Sequence, residues 1–331
     1  MTEEEIKEKI TAIFNPSMVR ARDDLFRNSH KLVHYTSAEV AIEIIRHSRV
    51  WMRSTLCMND LREVQHGMDM MRRFFAPVDA DRSPDLGQIA FLQALNEVHS
   101  EASERSLELL NGWARSIEYG TFITCISEHP SSEDAHGRLS MWRAYGKGSV
   151  GVALVLNPEP FRATSDALKA YAAPVSYLSP VQFVANMHEV TSNIQNNKDF
   201  LKTVDLLEVV GAVFNMFLFG VTCNKHPGFG EEREWRLIHV PVMHPSPVLE
   251  RSIKNIAGVP QPVYEIPLKN RPDEGLVGIE IPELIERLII GPTEFPLAVQ
   301  DALISELAAA NVPNAAQKVF VSAIPLRPQS R

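Results

Sequence analysis

Residues 150–156 form an almost entirely apolar run, Val-Gly-Val-Ala-Leu-Val-Leu. A run of this length without polar alternation predicts a β-strand that is covered on both faces. The 331-residue chain contains 45% apolar residues, which is enough to close a large core around such a strand. Because segments with helical periodicity occur before and after it, we predict an α+β fold with a mixed β-sheet at its centre.

The remaining segments predict one domain that follows a helical lead-in at residues 1–30. Further strands are predicted at 32–35, 50–54, 121–127, 232–240, 263–268, 276–281, 288–290 and 319–324. Helices are predicted to begin at Ser37 and to occupy 59–75, 86–118, 139–145, 179–196, 199–222 and 297–310. Because no convincing linker divides the chain, residues 31–327 are predicted to form a single domain with helical insertions near 77–118 and 179–222.

Charge and cysteine usage limit the class of protein. The net charge is −8, which argues against generic binding to nucleic acid. The three cysteines are far apart and include no C-x-x-C pair, as is typical of a protein in a reducing cytoplasm. The acidic N-terminus does not resemble an export signal, and the apolar stretch 206–221 is shorter than the roughly 20 residues that span a bilayer. We therefore expect a cytoplasmic protein that binds small molecules and no membrane.

Two glutamates and an arginine alternate in the sequence Glu232-Arg233-Glu234-Trp235-Arg236. In a strand, every second side chain lies on the same face, so Glu232, Glu234 and Arg236 are predicted to share one face. Two carboxylates this close repel each other, which shifts the pKa of at least one unless a cation such as Arg236 compensates. The pattern fits a catalytic site, and it also fits an exposed face that carries an ion pair.

Two polar segments in the first quarter of the chain could also contribute to a site. Residues 34–36, His-Tyr-Thr, supply an imidazole, an aromatic ring and a hydroxyl at the end of a predicted strand. A histidine packed in the core beside a tyrosine is the structural alternative. Asn59 and Asp60 follow the second predicted strand. Asp60 also fits a helix N-cap with Glu63 as its capping partner, which would leave Asn59 available for a ligand.

The sequence lacks the signatures of several enzyme classes. It contains no H-E-x-x-H motif and no histidine pair at helical spacing beside an acid, so no metal site is expected. It also contains neither the G-x-S-x-G motif of many serine hydrolases nor a P-loop. A catalytic site would therefore require residues that are distant in the sequence.

Short motifs are distributed in a definite order along residues 31–327. They are Val33-His34-Tyr35-Thr36, Val50-Trp51 with Ser54, Asn59-Asp60-x-x-Glu63, Cys125-Ile126-Ser127-Glu128, Met141-Trp142-x-x-Tyr145, Lys225, Phe229-x-x-Glu232-x-Glu234-Trp235-Arg236, Ile289-Ile290-Gly291-Pro292 and Ser322-x-Ile324-Pro325-x-Arg327. In this order they resemble an uncharacterised bacterial family, domain of unknown function 2971. The series is far more specific than any one motif, but the family implies no activity.

The same order is similar to that of ADP-ribosyltransferase folds, in which a histidine strand, a strand with Trp and Ser, and a late strand with Glu-x-Glu follow one another. This resemblance implies that NAD is the substrate, that His34 holds a ribose hydroxyl, and that Glu232 or Glu234 stabilises the reacting ribose. It also implies that further residues bind or position the nucleotide: Tyr35, Thr36, Ser54, Asn59, Asp60, Trp142 and Tyr145, with Trp51 and Ser127 as additional candidates.

Three functions are compatible with these patterns. The leading hypothesis is an NAD-using ADP-ribosyltransferase or NAD glycohydrolase with Glu232, Glu234 and Arg236 as catalytic residues, acting as a bacterial toxin or in antiviral defence. The second is a metal-dependent nuclease or phosphodiesterase, in which the two glutamates, Asp60 and Glu63 bind a divalent ion. The third is a non-catalytic sensor or adaptor whose ion pairs stabilise its core.

Overall fold

A mixed β-sheet lies at the centre of the protein. The computed structural model describes residues 1–58, 64–75, 86–145, 149–162 and 165–325. Within these ranges the sheet has ten strands: β1 (Lys31–Ser37), β2 (Arg49–Ser54), β3 (Phe122–His129), β4 (Gly151–Leu156), β5 (Tyr171–Pro174), β6 (Glu234–His239), β7 (Glu250–Ile256), β8 (Val259–Pro267), β9 (Ile285–Ile290) and β10 (Val319–Val321). The parallel β9–β10 pair is combined with antiparallel pairs, so the predicted α+β class with a mixed sheet is confirmed.

Thirteen α-helices surround this sheet in the described part of the chain. They are α1 (Glu3–Phe14), α2 (Pro16–Arg27), α3 (Ala38–His47), α4 (Gln65–Phe74), α5 (Leu86–Val98), α6 (Ala102–Gly120), α7 (Leu139–Tyr145), α8 (Pro180–Asn196), α9 (Lys198–Leu201), α10 (Leu206–Thr222), α11 (Ile281–Leu284), α12 (Pro296–Ala309) and α13 (Ala315–Lys318). Ser37 caps α3 by accepting a hydrogen bond from the Val40 amide, as its position predicts. Among these helices, none combines the length and the apolar character that crossing a membrane requires.

Strand β4 shows why the sheet is covered on both faces. All six of its residues are buried. Leu154 packs in a cluster with α3 and α12, whereas Val155 packs in a cluster with Trp142 of α7. Because neighbouring side chains of a strand lie on opposite faces, these clusters cover the two sides of the sheet. The double burial predicted from residues 150–156 is therefore confirmed.

The two predicted helical insertions pack against each other rather than lying on separate parts of the sheet. Helices α4, α5 and α6 share one apolar cluster with α8 and α10, and α1 adds its C-terminal end to it. The start of the first insertion lies partly outside the described residues, because 76–85 are not described. Ile123 of β3 belongs to the same cluster, which therefore covers one face of the sheet centre.

Several predicted elements differ from the structure. The strand predicted at 276–281 is wrong: Gly275 and Gly278 have positive φ angles of 71° and 77°, and α11 begins at Ile281. Strands β5 and β7 were not predicted, and the helix predicted at 199–222 is divided into α9 and α10. Pro16 follows the end of α1 and also begins α2. For the strand predicted at 276–281 and the helix predicted at 199–222, a turn rather than the apolar pattern determines the boundary.

Candidate active site

Strands β1 and β2 diverge along one edge of β3 and leave a gap in the sheet. Strand β1 pairs with residues 127–129 at one end of this edge, and β2 pairs with residues 122 and 123 at the other. Within the described chain, residues 124–126 have no strand partner on this edge, whereas β6 pairs with the opposite edge from residue 122 to residue 127. Side chains of β1, β2 and β3 therefore face a common opening.

A cavity of about 530 Å³ occupies this gap. This volume is within the roughly 300–1,000 Å³ range of small-molecule sites. Residues from several separate segments line it, including His34, Thr36, Trp51, Arg53, Cys125, Ser127, Tyr145, Glu232 and Glu234. The cavity thus combines aromatic rings, a histidine and two carboxylates.

The hydrogen bond of His34 fixes the position of its proton. Its Nδ1 lies 2.9 Å from the backbone carbonyl oxygen of Cys125, which can only accept, so Nδ1 carries a proton and donates. Burial lowers the pKa of His34 and outweighs the opposing effect of this hydrogen bond. The imidazole is therefore neutral at pH 7, and its Nε2 is a hydrogen-bond acceptor for a ligand hydroxyl.

Two cations bind the two glutamates at the other wall of the cavity. Lys225 Nζ lies 2.7 Å from Glu232 Oε2 and 3.2 Å from Glu234 Oε2. Arg236 Nε donates to Glu234 Oε1 over 2.7 Å. The Glu234 side chain is 4% exposed and also accepts a hydrogen bond from the Cys125 thiol, whereas the Glu232 side chain is 26% exposed. Glu234 is thus the more enclosed carboxylate, and Glu232 is the more accessible one.

The pKa values of these carboxyl groups shift in opposite directions. Burial raises the pKa of Glu232, and Lys225 only partly offsets this effect. Burial also acts to raise the pKa of Glu234, but the charges of Arg236 and Lys225 outweigh it and hold that pKa well below its usual value. Glu234 is therefore a permanent anion, whereas Glu232 can exchange a proton closer to neutral pH.

Arg138 fixes the turn that carries Glu232. Its guanidinium donates to the backbone carbonyls of Glu231 and Glu232 over 2.9 and 3.0 Å, and to that of Glu128 over 2.6 Å. Glu133 pairs with the same guanidinium over 3.0 Å, which neutralises it. The orientation of Glu232 consequently depends on a side chain that is about ninety residues away in the sequence.

The prediction that Glu232 lies on the same strand as Glu234 and Arg236 is wrong. Residues Pro227–Glu232 form a 3-10 turn, Arg233 has a left-handed φ of 43°, and β6 begins only at Glu234. Glu234 and Arg236 do share a face, as their direct ion pair shows. The turn nevertheless brings Glu232 to the same cation, so the two glutamates remain neighbours.

The structure brings some of the predicted nucleotide-binding residues to the cavity and leaves others in the core. His34, Tyr35, Thr36 and Tyr145 line it. Tyr35 also accepts a hydrogen bond from the Arg138 amide and packs against Trp142, with a centroid distance of 5.0 Å.

Two more of these residues have roles away from the cavity wall, and another two are not described. Trp142 is 3% exposed and donates its indole N–H to the His136 carbonyl, so it belongs to the core. Ser54 caps the short turn that follows β2. Asn59 and Asp60 lie outside the described residues.

Sequence reasoning did not predict functional positions for Lys225, Arg138 and Arg53. One signal could have indicated a second cation such as Lys225. Two neighbouring carboxylates need more than one cation to compensate their charge, and Arg236 supplies only one. No local signal could have linked Arg138 to Glu232 or Arg53 to the cavity, since both relationships depend on tertiary contacts. Within the described residues, no three His, Cys, Asp or Glu side chains cluster as metal ligands. Asp60 and Glu63 lie outside the described residues.

Comparison with known protein families gives a match to part of the chain. No curated protein and no solved structure matches the sequence or the fold significantly. The resemblance predicted over residues 31–327 is found over a shorter range, which includes Tyr145, Lys225 and both glutamates but not His34 or Trp51. Residues 141–237 match the model of a family described as a protein of unknown function (DUF2971).

Proposed function

We propose that this protein is an NAD-using enzyme, either an ADP-ribosyltransferase or an NAD glycohydrolase. The observation that carries the proposal is the cavity in the gap between β1 and β2, where His34, Trp51, Tyr145 and Glu232 line one space of suitable size. A neutral hydrogen-bond acceptor, aromatic surfaces and an accessible carboxylate are the groups that a nicotinamide riboside unit requires.

Glu232 is the carboxylate that we assign to the reaction. When the bond between nicotinamide and ribose breaks, its electron pair leaves with nicotinamide and the ribose C1′ gains positive charge. A fixed carboxylate stabilises that charge until water or an acceptor group attacks C1′. Glu232 is the more exposed of the two glutamates, whereas Glu234 already binds Arg236, Lys225 and Cys125. Glu234 therefore orients Lys225 and, through it, Glu232.

His34 and the aromatic side chains would hold the substrate. The Nε2 atom of His34 can accept a hydrogen bond from a ribose hydroxyl, because the Cys125 carbonyl keeps the proton on Nδ1. Burial, together with the nearby Cys125 and the two glutamates, raises the pKa of Tyr145, so its hydroxyl stays protonated and can donate. Trp51 and Tyr145 both offer ring surface to nicotinamide.

The test is NAD consumption by the purified protein, followed as release of nicotinamide with and without cell extract as a source of acceptors. We expect Glu232→Gln to reduce the rate roughly 10²- to 10³-fold, since it removes a transition-state charge. We expect His34→Ala to reduce kcat/KM about tenfold, because one hydrogen bond is lost. Glu189→Gln, in an exposed ion pair with Arg20, is the matched control.

Two results would contradict the proposal. One is a wild-type protein that releases no nicotinamide and labels no component of the extract. The other is nicotinamide release that Glu232→Gln and His34→Ala leave unchanged although both variants are folded.

A further inference from the structure

The end of the cavity formed by β2, β7 and β8 has a basic wall. Arg49, Arg53 and Lys254 all line the cavity there, and Glu265 is the carboxylate among them. Lys254 lies 2.9 Å and Arg49 3.6 Å from Glu265, and Arg49 also binds Glu250. These contacts provide carboxylate partners for two of the three cations.

Arg53 differs from the other two cations because its partners are neutral. Its Nε donates to the side-chain oxygen of Gln261 over 3.2 Å, and its Nη2 donates to the Cys57 carbonyl over 2.7 Å. Within the described residues, no carboxylate oxygen lies within 4.0 Å of its guanidinium. Gln261 is 3% exposed, so the plane of the guanidinium is fixed by a buried partner. Among the described residues, Arg53 is thus a positive charge in the cavity wall that is held by two neutral partners and has no carboxylate partner.

We propose that Arg53 binds a phosphoryl group of the ligand through Nη1. A buried or half-buried charge without a counter-ion is unfavourable, and an anionic ligand group supplies the missing partner. A guanidinium that is already held by two hydrogen bonds loses little conformational entropy when it binds a phosphate. The proposal deepens the proposed function and rests on it for the identity of the ligand, whose pyrophosphate would occupy this position.

Strand β3 provides a measure of the distance between the two ends of the cavity. Arg53 lies opposite Ile123, and Glu234 lies opposite Ser127. Four residues of a strand span about 13 Å, so the backbones of Arg53 and Glu234 are separated by about this distance along β3. His34 binds the Cys125 carbonyl between these positions. The ligand must therefore be elongated, with its phosphate toward β2 and its reacting group toward Glu232.

The test compares the binding of ADP and adenosine to the full-length protein by calorimetry. We expect the wild type to bind ADP at least tenfold more tightly than adenosine, with a preference that weakens as salt increases. Arg53→Gln should weaken ADP binding roughly ten- to a hundredfold and leave adenosine binding unchanged. Arg53→Lys keeps the positive charge but loses the planar set of N–H donors. Its affinity for ADP should therefore lie between that of the wild type and that of Arg53→Gln. Arg27→Gln, in an exposed pair with Asp24, is the control.

The results separate this proposal from the proposed function. Equal affinity for ADP and adenosine, or ADP binding that both Arg53 variants leave unchanged, would overturn the phosphate assignment even if the protein consumes NAD. Binding of ADP that depends on Arg53, in a protein that releases no nicotinamide, would support the phosphate site and contradict the NAD-using activity. If Arg53→Gln fails to fold, Arg53→Lys alone decides, because an ADP preference weaker than that of the wild type is then the required result.

Discussion

Glu232 and Glu234 are two residues apart in the chain, yet they lie in different environments. Glu234 is enclosed between Arg236 and Lys225, and its pKa is held down by their charges after burial has acted in the opposite direction. Among the described ion pairs, Lys225 is the cation that binds Glu232. Burial raises the pKa of Glu232. The buried glutamate is therefore suited to holding charge and structure, whereas the accessible one is suited to chemistry.

This difference predicts that the same substitution affects stability to different extents at the two positions. Glu234→Gln should lower the free energy of unfolding by about 3 kcal/mol, since it leaves Arg236 as a buried charge with one carboxylate partner fewer. Glu232→Gln should change it by less than about 1 kcal/mol, because the side chain is partly solvated. Urea denaturation monitored by circular dichroism measures both values, with Glu189→Gln as the control. A larger loss for Glu232→Gln would contradict the assignment.

Lys225 predicts how activity depends on pH. If Glu232 acts as a carboxylate, the rate of NAD consumption rises as pH increases through its raised pKa. Lys225 acts to lower that pKa, so Lys225→Met should shift the acidic limb of the profile to higher pH. The measurement is kcat/KM between pH 5 and 9 for both proteins. A shift of this limb to lower pH, or none in an active variant, would show that Glu232 is not the titrating group.

At the scale of elements, the turn Pro227–Glu232 depends on Arg138 of the segment before α7. Arg138→Lys keeps a positive charge beside Glu133 but cannot donate to three carbonyls in the same geometry. We expect kcat for NAD to fall roughly ten- to a hundredfold, because small displacements of a reacting group are costly. The acidic limb of the pH profile should also move, which a purely structural role would not cause. An unchanged profile with normal kcat would contradict this positioning role.

The contact between α4 and α10 depends on Gly67. A Cβ atom at this position would lie 2.3 Å from the Val221 carbonyl oxygen, so Gly67→Ala forces the two helices apart. We expect a loss of about 1–3 kcal/mol in unfolding free energy, as for other overpacked sites. Gly112 of α6 has open space at the corresponding atom, so Gly112→Ala should be neutral or slightly stabilising. Chemical denaturation of the two variants compares them directly, and an equal effect would contradict the tight contact.

The predictability of each element depended on its position in the sheet. Strand β4 could be predicted because burial on both faces leaves a continuous apolar run. Strand β7 could not, because its alternating residues at the sheet edge are mostly exposed and polar. Leu276, Ile279 and Ile281 are buried, so their apolar pattern reports burial without a strand. Hydrophobic pattern alone therefore cannot distinguish a buried loop from a buried strand.

At the scale of the whole molecule, the cavity depends on three strands that share β3. His34 comes from β1, Trp51 and Arg53 from β2, and Glu234 from β6, and all four line one cavity because β3 pairs with each of these strands. The sequence could indicate His34 and the glutamates as residues of suitable chemistry. It could not indicate the gap between β1 and β2, because strand register is set by long-range pairing.

Buried histidines predict how the stability of the whole molecule depends on pH. Burial lowers the pKa of His34, His129, His239 and His244 in the folded protein. Between these lowered values and the usual value near 6.5, the unfolded chain binds more protons than the folded protein, so stability falls as pH falls. The raised pKa of Glu232 acts in the opposite direction, but it is one group against four histidines. The lowered pKa of Glu234 affects stability only at more acidic pH.

We therefore expect Tm to decrease steadily from pH 7 to pH 5.5. His239→Gln tests the cause, because His239 Nδ1 donates to the Lys169 carbonyl over 2.9 Å and a glutamine amide can supply a donor there without titrating. Its Tm should depend less on pH than that of the wild type. Differential scanning calorimetry across this range measures both slopes. A wild-type Tm that is constant or rises on acidification would contradict the prediction, because unfolding would then bind no additional protons in total.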